Sequence, residues 1–416
     1  MVGVLRWWIA GVLIAIELTG CPRARPGSLS TSTGGAKVLW SVQLEGDPWP
    51  WAVVDGNLLV WTYRFAHAGF LFPIKLESYG VQNGKTNWSV PIRPWLWSTE
   101  SPWSFNAVVF TDVLGAWVKG NVARSLRLDT GQEAWSIPLC GGLARFGKWL
   151  VAASESRLLI LDPLSGKTHR EIPLASPLIA PPVVRGDLVV GLQEDQHLVG
   201  VSLSRGTLAW RHRVGGPAGQ PDRPLAAGDL VLLPHLPVDS AQGAGTAMLE
   251  ARRTSTGRLA WRRRVPTTTK DDKSSPLAGL RVAGDLVLLP QKNNTCLQAI
   301  NLADGSPRFR RCGLHLSSSP VLHGKWIYVL GTDKRSAAAL RRGEPWSTVD
   351  FPLLAVHVRT GRARALKQPQ RRRRRRHRFL RAVRLQSGPG ANGILYLLQR
   401  NRFLTAIRLG SPRTAK

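Results

Sequence analysis

Arg253–Trp261 reads RTSTGRLAW, and its form recurs along the chain: an apolar strand, a polar turn closing on glycine, then a strand opened by a large residue. Clear copies are LDTGQEAW at Leu128–Trp135 and LSRGTLAW at Leu203–Trp210. Looser ones are QNGKTNW (Gln82–Trp88), LDPLSGKTHR (Leu161–Arg170), LADGSPRF (Leu302–Phe309) and VRTGRARAL (Val358–Leu366). The turn glycines are Gly84, Gly131, Gly166, Gly206, Gly257, Gly305 and Gly361, spaced from 35 residues (Gly131 to Gly166) to 56 (Gly305 to Gly361). A hairpin signal at this period marks a β-propeller. Alternation such as Ser125-Leu126-Arg127-Leu128 fits a half-buried strand. The turn glycine supplies a positive φ. The Trp that follows fills the gap to a neighbouring blade, so its expected role is core formation.

Upstream of each phrase lies a second hairpin, apolar with Gly at its turn. Examples are VVDGNLLVW (Val53–Trp61), VVRGDLVVGL (Val183–Leu192), AAGDLVLLP (Ala226–Pro234), VAGDLVLLP (Val282–Pro290), VLHGKWIYVL (Val321–Leu330) and GANGILYLL (Gly390–Leu398). Each unit then holds four strands, A to D. Seven complete units end near Ile92, Leu139, Leu174, Val214, Val265, Cys312 and Leu366. GILYLLQ and FLTAIRL at the C-terminus read as strands B and C without a D, and KVLWSVQL (Lys37–Leu44) as a D with nothing before it. Joining them closes an eighth blade and removes a free edge. The expectation is an all-β, eight-bladed propeller of four-stranded antiparallel blades over residues 37–410, with seven blades if the Ala152–Leu174 unit is degenerate. Residues 411–416 form a tail.

Hydrophobic residues make up 43% of the 416, which suits one globular ring. The first 20 residues read as a signal peptide: Arg6, then an apolar core at Trp7–Ile16 too short to span a membrane. Leu18-Thr19-Gly20-Cys21 follows, with Glu17 an unusual neighbour. Residues 21–36, rich in Pro, Ser, Thr and Gly, read as a flexible tether.

Pairing Leu302 with Ser306 across the Asp304-Gly305 turn carries the register back to Cys296 opposite Cys312, read as a cross-strand disulfide in an exported chain. Cys140 has no evident partner, and no cysteines have zinc-ligand spacing. The net charge is +31, from 57 Lys and Arg against 26 Asp and Glu. Segment Arg341–Arg384 is densely basic around Arg371, Arg372, Arg373, Arg374, Arg375 and Arg376, read as a mobile anion-binding loop between blades seven and eight. The equally weighted alternative is a solvated, compositionally biased insertion. The stretch lacks the interleaved aromatics of a strand-binding groove, so acidic lipid or acidic protein is expected there and nucleic acid is not.

The strand-TG-x-x-x-W phrase resembles the pyrroloquinoline-quinone (PQQ) repeat, and Leu18–Cys21 resembles the bacterial lipobox. Together, over about residues 37–410, the chain resembles the BamB family of outer-membrane-protein assembly lipoproteins. The resemblance implies lipidation at Cys21 and an eight-bladed ring facing the periplasm. Pro22, where an inner-membrane lipoprotein would carry Asp, points to the outer membrane. It also implies a non-catalytic, monomeric scaffold without cofactor, holding an envelope partner of the β-barrel assembly machinery. The chain departs from the family in its charge, the arginine run and an insertion at Thr332–Asp350.

A quinoprotein dehydrogenase is the enzyme alternative. It would need a Ca²⁺ site and an Asp base, and often carries a vicinal Cys-Cys pair, which is missing. Asp55, Asp129, Asp187, Asp229, Asp285 and Asp304 sit at turns, where turn chemistry accounts for them. A third alternative is a binder of acidic glycan or lipid head group, with Trp95, Trp97 and Trp103 stacking on sugar; such residues more often anchor loops. The nine His are scattered without a metal-ligand neighbour.

Overall fold

A computed structural model describes residues 36–44, 47–54, 56–65, 71–91, 106–109, 114–119, 122–127, 129–138, 142–214, 224–235, 246–266, 280–291, 296–312, 314–315, 320–331, 353–366, 379–385, 393–399 and 403–409. Among these the strands form eight antiparallel sheets, and each is a blade running from strand A to strand D. Blade one is Asp47–Val54, Asn57–Phe65, Leu71–Gly80 and Thr86–Pro91; blade two is Asn106–Val109, Leu114–Lys119, Val122–Arg127 and Glu133–Pro138. Blade three is Leu143–Phe146, Trp149–Ser154, Arg157–Leu161 and Thr168–Pro173; blade four is Val183–Arg185, Leu188–Leu192, His197–Ser202 and Thr207–Arg213. Blade five is Leu225–Ala227, Leu230–His235, Thr246–Arg253 and Leu259–Pro266; blade six is Arg281–Ala283, Leu286–Gln291, Cys296–Asn301 and Pro307–Cys312. Blade seven has Val321–His323, Trp326–Gly331, Leu353–His357 and Ala363–Ala365, with Leu314–His315 added beside its second strand.

Blade eight closes the ring. Its strands A to C are Phe379–Leu385, Ile394–Gln399 and Phe403–Leu409, and strand D comes from the other end of the chain, Ala36–Gln43. Seven residue pairs join the two ends, from Ala36 opposite Leu409 to Gln43 opposite Phe403. The sequence reading gave this blade only B and C from the C-terminus. Phe379–Leu385 is a correction: it lies in the segment read as the basic loop, yet it pairs with Ile394–Gln399 as strand A. FLRAVRL has Arg at every third position, and two irregularities in the pairing, at Leu380 and Val383, fit it to the ladder.

The core is a set of radial interfaces rather than one central mass. Six hydrophobic clusters each draw on two adjacent blades. In Leu230–His235, Leu230 and Leu232 join the cluster toward blade six, while Val231 and Leu233 join the one toward blade four. Strand B is thus apolar on both faces, which is why it reads as an unbroken apolar run.

The repeated phrase builds the joints between blades. All seven strand C–D turn glycines have φ between 65° and 73°. Each donates its N–H to the carbonyl four residues earlier, as Gly257 does to Arg253 at 2.8 Å. The large residue of the preceding blade's strand D lies on that glycine. Trp40 covers Gly84, Trp88 covers Gly131, Trp135 covers Gly166, Trp210 covers Gly257, Trp261 covers Gly305 and Phe309 covers Gly361. A β-bulge directly before the large residue precedes each contact; Leu39, Ala134, Ala209, Ala260 and Arg308 are among the extra residues. Across the sheet each ring faces a small residue: Ala406, Ser78, Ser125, Gly200, Ala251 or Ala299. The bulge adds local twist and re-aims the side chain. The small partner leaves room for the ring.

Gly305 and Gly186 separate the two demands on glycine. Both have positive φ, 71° and 55°. A Cβ at Gly305 would stand 2.8 Å from Trp261, whereas at Gly186 nothing lies within 4 Å. Gly186→Ala is expected to cost only the backbone term, about 1 kcal/mol. Gly305→Ala adds a clash in a close interface, bringing the cost to roughly 3 kcal/mol. Urea unfolding of the two variants checks the ranking, and equal midpoints would refute it.

Candidate functional site

The chemistry on the described surface gathers on the outer strands of three consecutive blades. Strand D of blades four, five and six (TLAWRHR, LAWRRRVP and PRFRRC) carries two, three and three arginines and no Asp or Glu. Strand D of blades one and two (TNWSVP and EAWSIP) carries no Lys or Arg. Four of the arginines have polar partners. Arg211 pairs with Asp195, Arg262 reaches Glu250 Oε1 at 2.5 Å, Arg263 donates to Gly305 O at 2.6 Å, and Arg308 donates to Asn301 Oδ1 at 3.0 Å. Arg213, Arg264, Arg310 and Arg311 are exposed, and their side chains make no ion pair or hydrogen bond among the described residues. The aromatics of these strands, Trp210, Trp261 and Phe309, turn into the gaps between blades.

Behind this wall lies a buried charge cluster in blade five. Glu250 sits on strand C with its side chain 4% exposed. Arg252 Nε donates to Glu250 Oε2 at 3.0 Å, and its Nη1 donates to Gly257 O, also at 3.0 Å. His235 Nε2, at the end of strand B, stands 3.6 Å from Glu250 Oε2. Arg262 joins from the wall itself. Burial alone would raise the Glu250 pKa, but His235, Arg252 and Arg262 outweigh it and hold the carboxyl at about 2. The cluster fixes the turn glycine, through Gly257 O, and one wall arginine to the same strand. Sequence reasoning missed Glu250 and His235. The available signal was one acid in an otherwise apolar strand C, TAMLEARR, with Arg two residues on.

The residues singled out from the sequence fall as follows. Cys296 lies directly opposite Cys312, and the two form a disulfide. The turn pairing used to place them needs correction: Asn301, not Leu302, pairs with Ser306, and the bulge at Arg308 restores the register by Cys296. Asp187, Asp129 and Asp304 engage their side chains at their turns, whereas Asp229 and Asp285 contribute backbone carbonyls that accept from Thr254 N and Leu302 N. Asp187 accepts from Ser202 Oγ at 2.6 Å and from Ser204 N at 2.7 Å, and Asp304 accepts from Ser306 N at 2.9 Å. Asp129 is paired with Arg127, whose side chain holds its pKa at about 2. Cys21, Asp55, Trp95, Trp97, Trp103, Cys140, Arg371–Arg376 and the insertion at Thr332–Asp350 lie outside the described residues. Among the described residues no group of three His, Cys, Asp or Glu is placed to hold a metal.

A closed ring of four-stranded blades, joined by the turn-glycine phrase, defines the class: a PQQ-repeat β-propeller. The profile of the family described as outer membrane protein assembly factor BamB matches residues 118–345, more than half of the chain, and the chain belongs to that family. Two solved structures share the fold. The crystal structure of BamB from Moraxella catarrhalis is 14% identical with a TM-score of 0.52, covering 90% of this chain and 98% of that one. The computationally designed Ika8 protein is 13% identical with a TM-score of 0.53, covering 90% and 99%. No curated protein matches the sequence.

Glu250→Gln removes the charge that compensates buried Arg252. The expected cost at neutral pH is roughly 3 kcal/mol. The folded pKa lies below the unfolded value of 4.5. The carboxylate's contribution is therefore full above about pH 4.5 and is lost as pH falls toward 2. The variant should show a flatter fall in stability over that window than the wild type. Parallel denaturation curves from pH 5 to about 2 would contradict the assignment.

Proposed function

We propose that this chain is a non-catalytic scaffold of the outer membrane, anchored by lipid at Cys21, whose monomeric ring faces the periplasm. It holds a protein of the β-barrel assembly machinery. The observation that carries this reading is the match to the outer membrane protein assembly factor BamB family over residues 118–345. The lipobox-like Leu18–Cys21 and the tether that follows support the anchor. Propellers suit the role because a rigid ring displays many loops without needing to move.

The quinoprotein reading has less support. Three of the described turn aspartates that could supply a base or calcium ligand are tied up: Asp187 by two serines, Asp129 by Arg127 and Asp304 by Ser306. The sequence has no adjacent cysteines.

Affinity purification of the lipidated protein from membranes tests the scaffold. A component of the outer-membrane assembly machinery should co-purify, and Cys21→Ser should abolish labelling by radioactive palmitate. Titration with PQQ and Ca²⁺ should leave the Trp fluorescence unchanged. Saturable quenching with dye-linked dehydrogenase activity, or equal palmitate labelling of the variant, would overturn the respective part.

A further inference from the structure

We propose that the outer wall of blades four to six binds an extended, acidic polypeptide segment. The inference deepens the scaffold reading and rests on it, since it names the chemistry of one partner. Three observations carry it. The first is the bias of charge around the ring: three neighbouring outer strands hold eight arginines and no acid, while those of blades one and two hold no Lys or Arg. The second is that Arg213, Arg264, Arg310 and Arg311 are exposed and unpaired among the described residues, so their guanidinium groups are free to take carboxylates. Arg binds carboxylate through a planar fork with two parallel hydrogen bonds. The third is that the acids that do pair with this wall are already engaged, Asp195 by Arg211 and Glu250 by Arg252 and Arg262.

The same geometry selects among anions. Single-stranded nucleic acid needs aromatic platforms on which bases stack. Trp210, Trp261 and Phe309 are committed to the turn glycines of the next blade and cannot serve. A planar bilayer fits poorly as well. Eight blades closing a ring turn by about 45° each, so blades four and six face directions roughly 90° apart. A flat membrane meets such a convex wall along one blade, whereas a flexible acidic chain follows all three. Strand D also presents the outermost edge of its sheet. The amides and carbonyls of such an edge are available to an extended segment laid along it.

The test uses the full chain with Arg371–Arg376 replaced by Ser, so that this run cannot mask the wall. In that background Arg213→Ser, Arg264→Ser and Arg310→Ser are combined. The probe is fluorescein-labelled deca-glutamate, followed by anisotropy at low and high salt. The background protein should bind the peptide, more weakly as salt rises. The triple variant should lose at least about threefold in affinity, the lower bound for three exposed charge contacts. Its melting temperature should stay unchanged, because none of the three side chains makes an ion pair or hydrogen bond among the described residues. Equal affinity of background and triple variant, or no binding by the background protein, would overturn the proposal. So would capture by phosphatidylglycerol vesicles or oligothymidylate in place of the peptide. Failure here leaves the co-purification result standing, and failure of co-purification leaves the peptide titration interpretable.

Discussion

A large side chain laid across a left-handed glycine of the next blade is the contact on which this ring depends. Among the described residues no blade has hydrogen-bonded strands in common with its neighbours, so the cohesion seen between blades comes from side chains. The joint does two things. The ring fills space that only a glycine leaves open. Its indole N–H is then buried, and a carbonyl of the next blade receives it. Trp40 donates to Val81, Trp135 to Pro163, Trp210 to Thr254 and Trp261 to Leu302, at 2.7–3.0 Å. An unpaired buried donor would cost about 1–3 kcal/mol, enough to cancel much of the ring's burial.

The exceptions vary the chemistry of the joint. Arg170 stands where blade three should have Trp, and donates to the carbonyls of Leu203, Ser204 and Arg205. Its guanidinium also lies over Gly206, so it serves both halves of the joint. Its cross-strand partner is Ile160 rather than a small residue. Phe309 keeps only one half, filling the space over Gly361 without an N–H to place. Blade seven departs furthest: its strand D is the three-residue Ala363–Ala365, paired without a bulge.

Much of this was legible in the sequence because turn chemistry and large residues leave strong local marks. The turn glycines, the Trp positions and the closing of the ring by the two chain ends could all be read from spacing. The bulge could not, because it inserts a residue without changing the local pattern. It has a trace all the same: a small residue six before the turn glycine, as at Ser125, Gly200, Ala251 and Ala299. Phe379–Leu385 was hidden by the arginines beside it and by its own pattern, which breaks the two-residue alternation at two irregularities of the pairing. The Glu250 cluster was missed for a related reason. Ion pairing across strands depends on register, and register emerges only when the sheet is assembled. Arg371–Arg376 stand out in the sequence because they are adjacent in it. The arginines of the wall are adjacent only in space.

The fold alone does not carry the function. A designed protein resembles this ring as closely as a natural BamB does, so whatever distinguishes the chain lies on its surface. That surface keeps its arrangement only while the ring is closed and opens as one unit. Hydrogen exchange of the seam amides tests this directly. In a closed ring, Ala36–Gln43 and Phe403–Leu409 exchange together and as slowly as the central strands Trp149–Ser154 and Leu188–Leu192. Rapid exchange of Ala36–Gln43 beside a protected Leu188–Leu192 would mean that the ends do not hold each other, and would contradict the account.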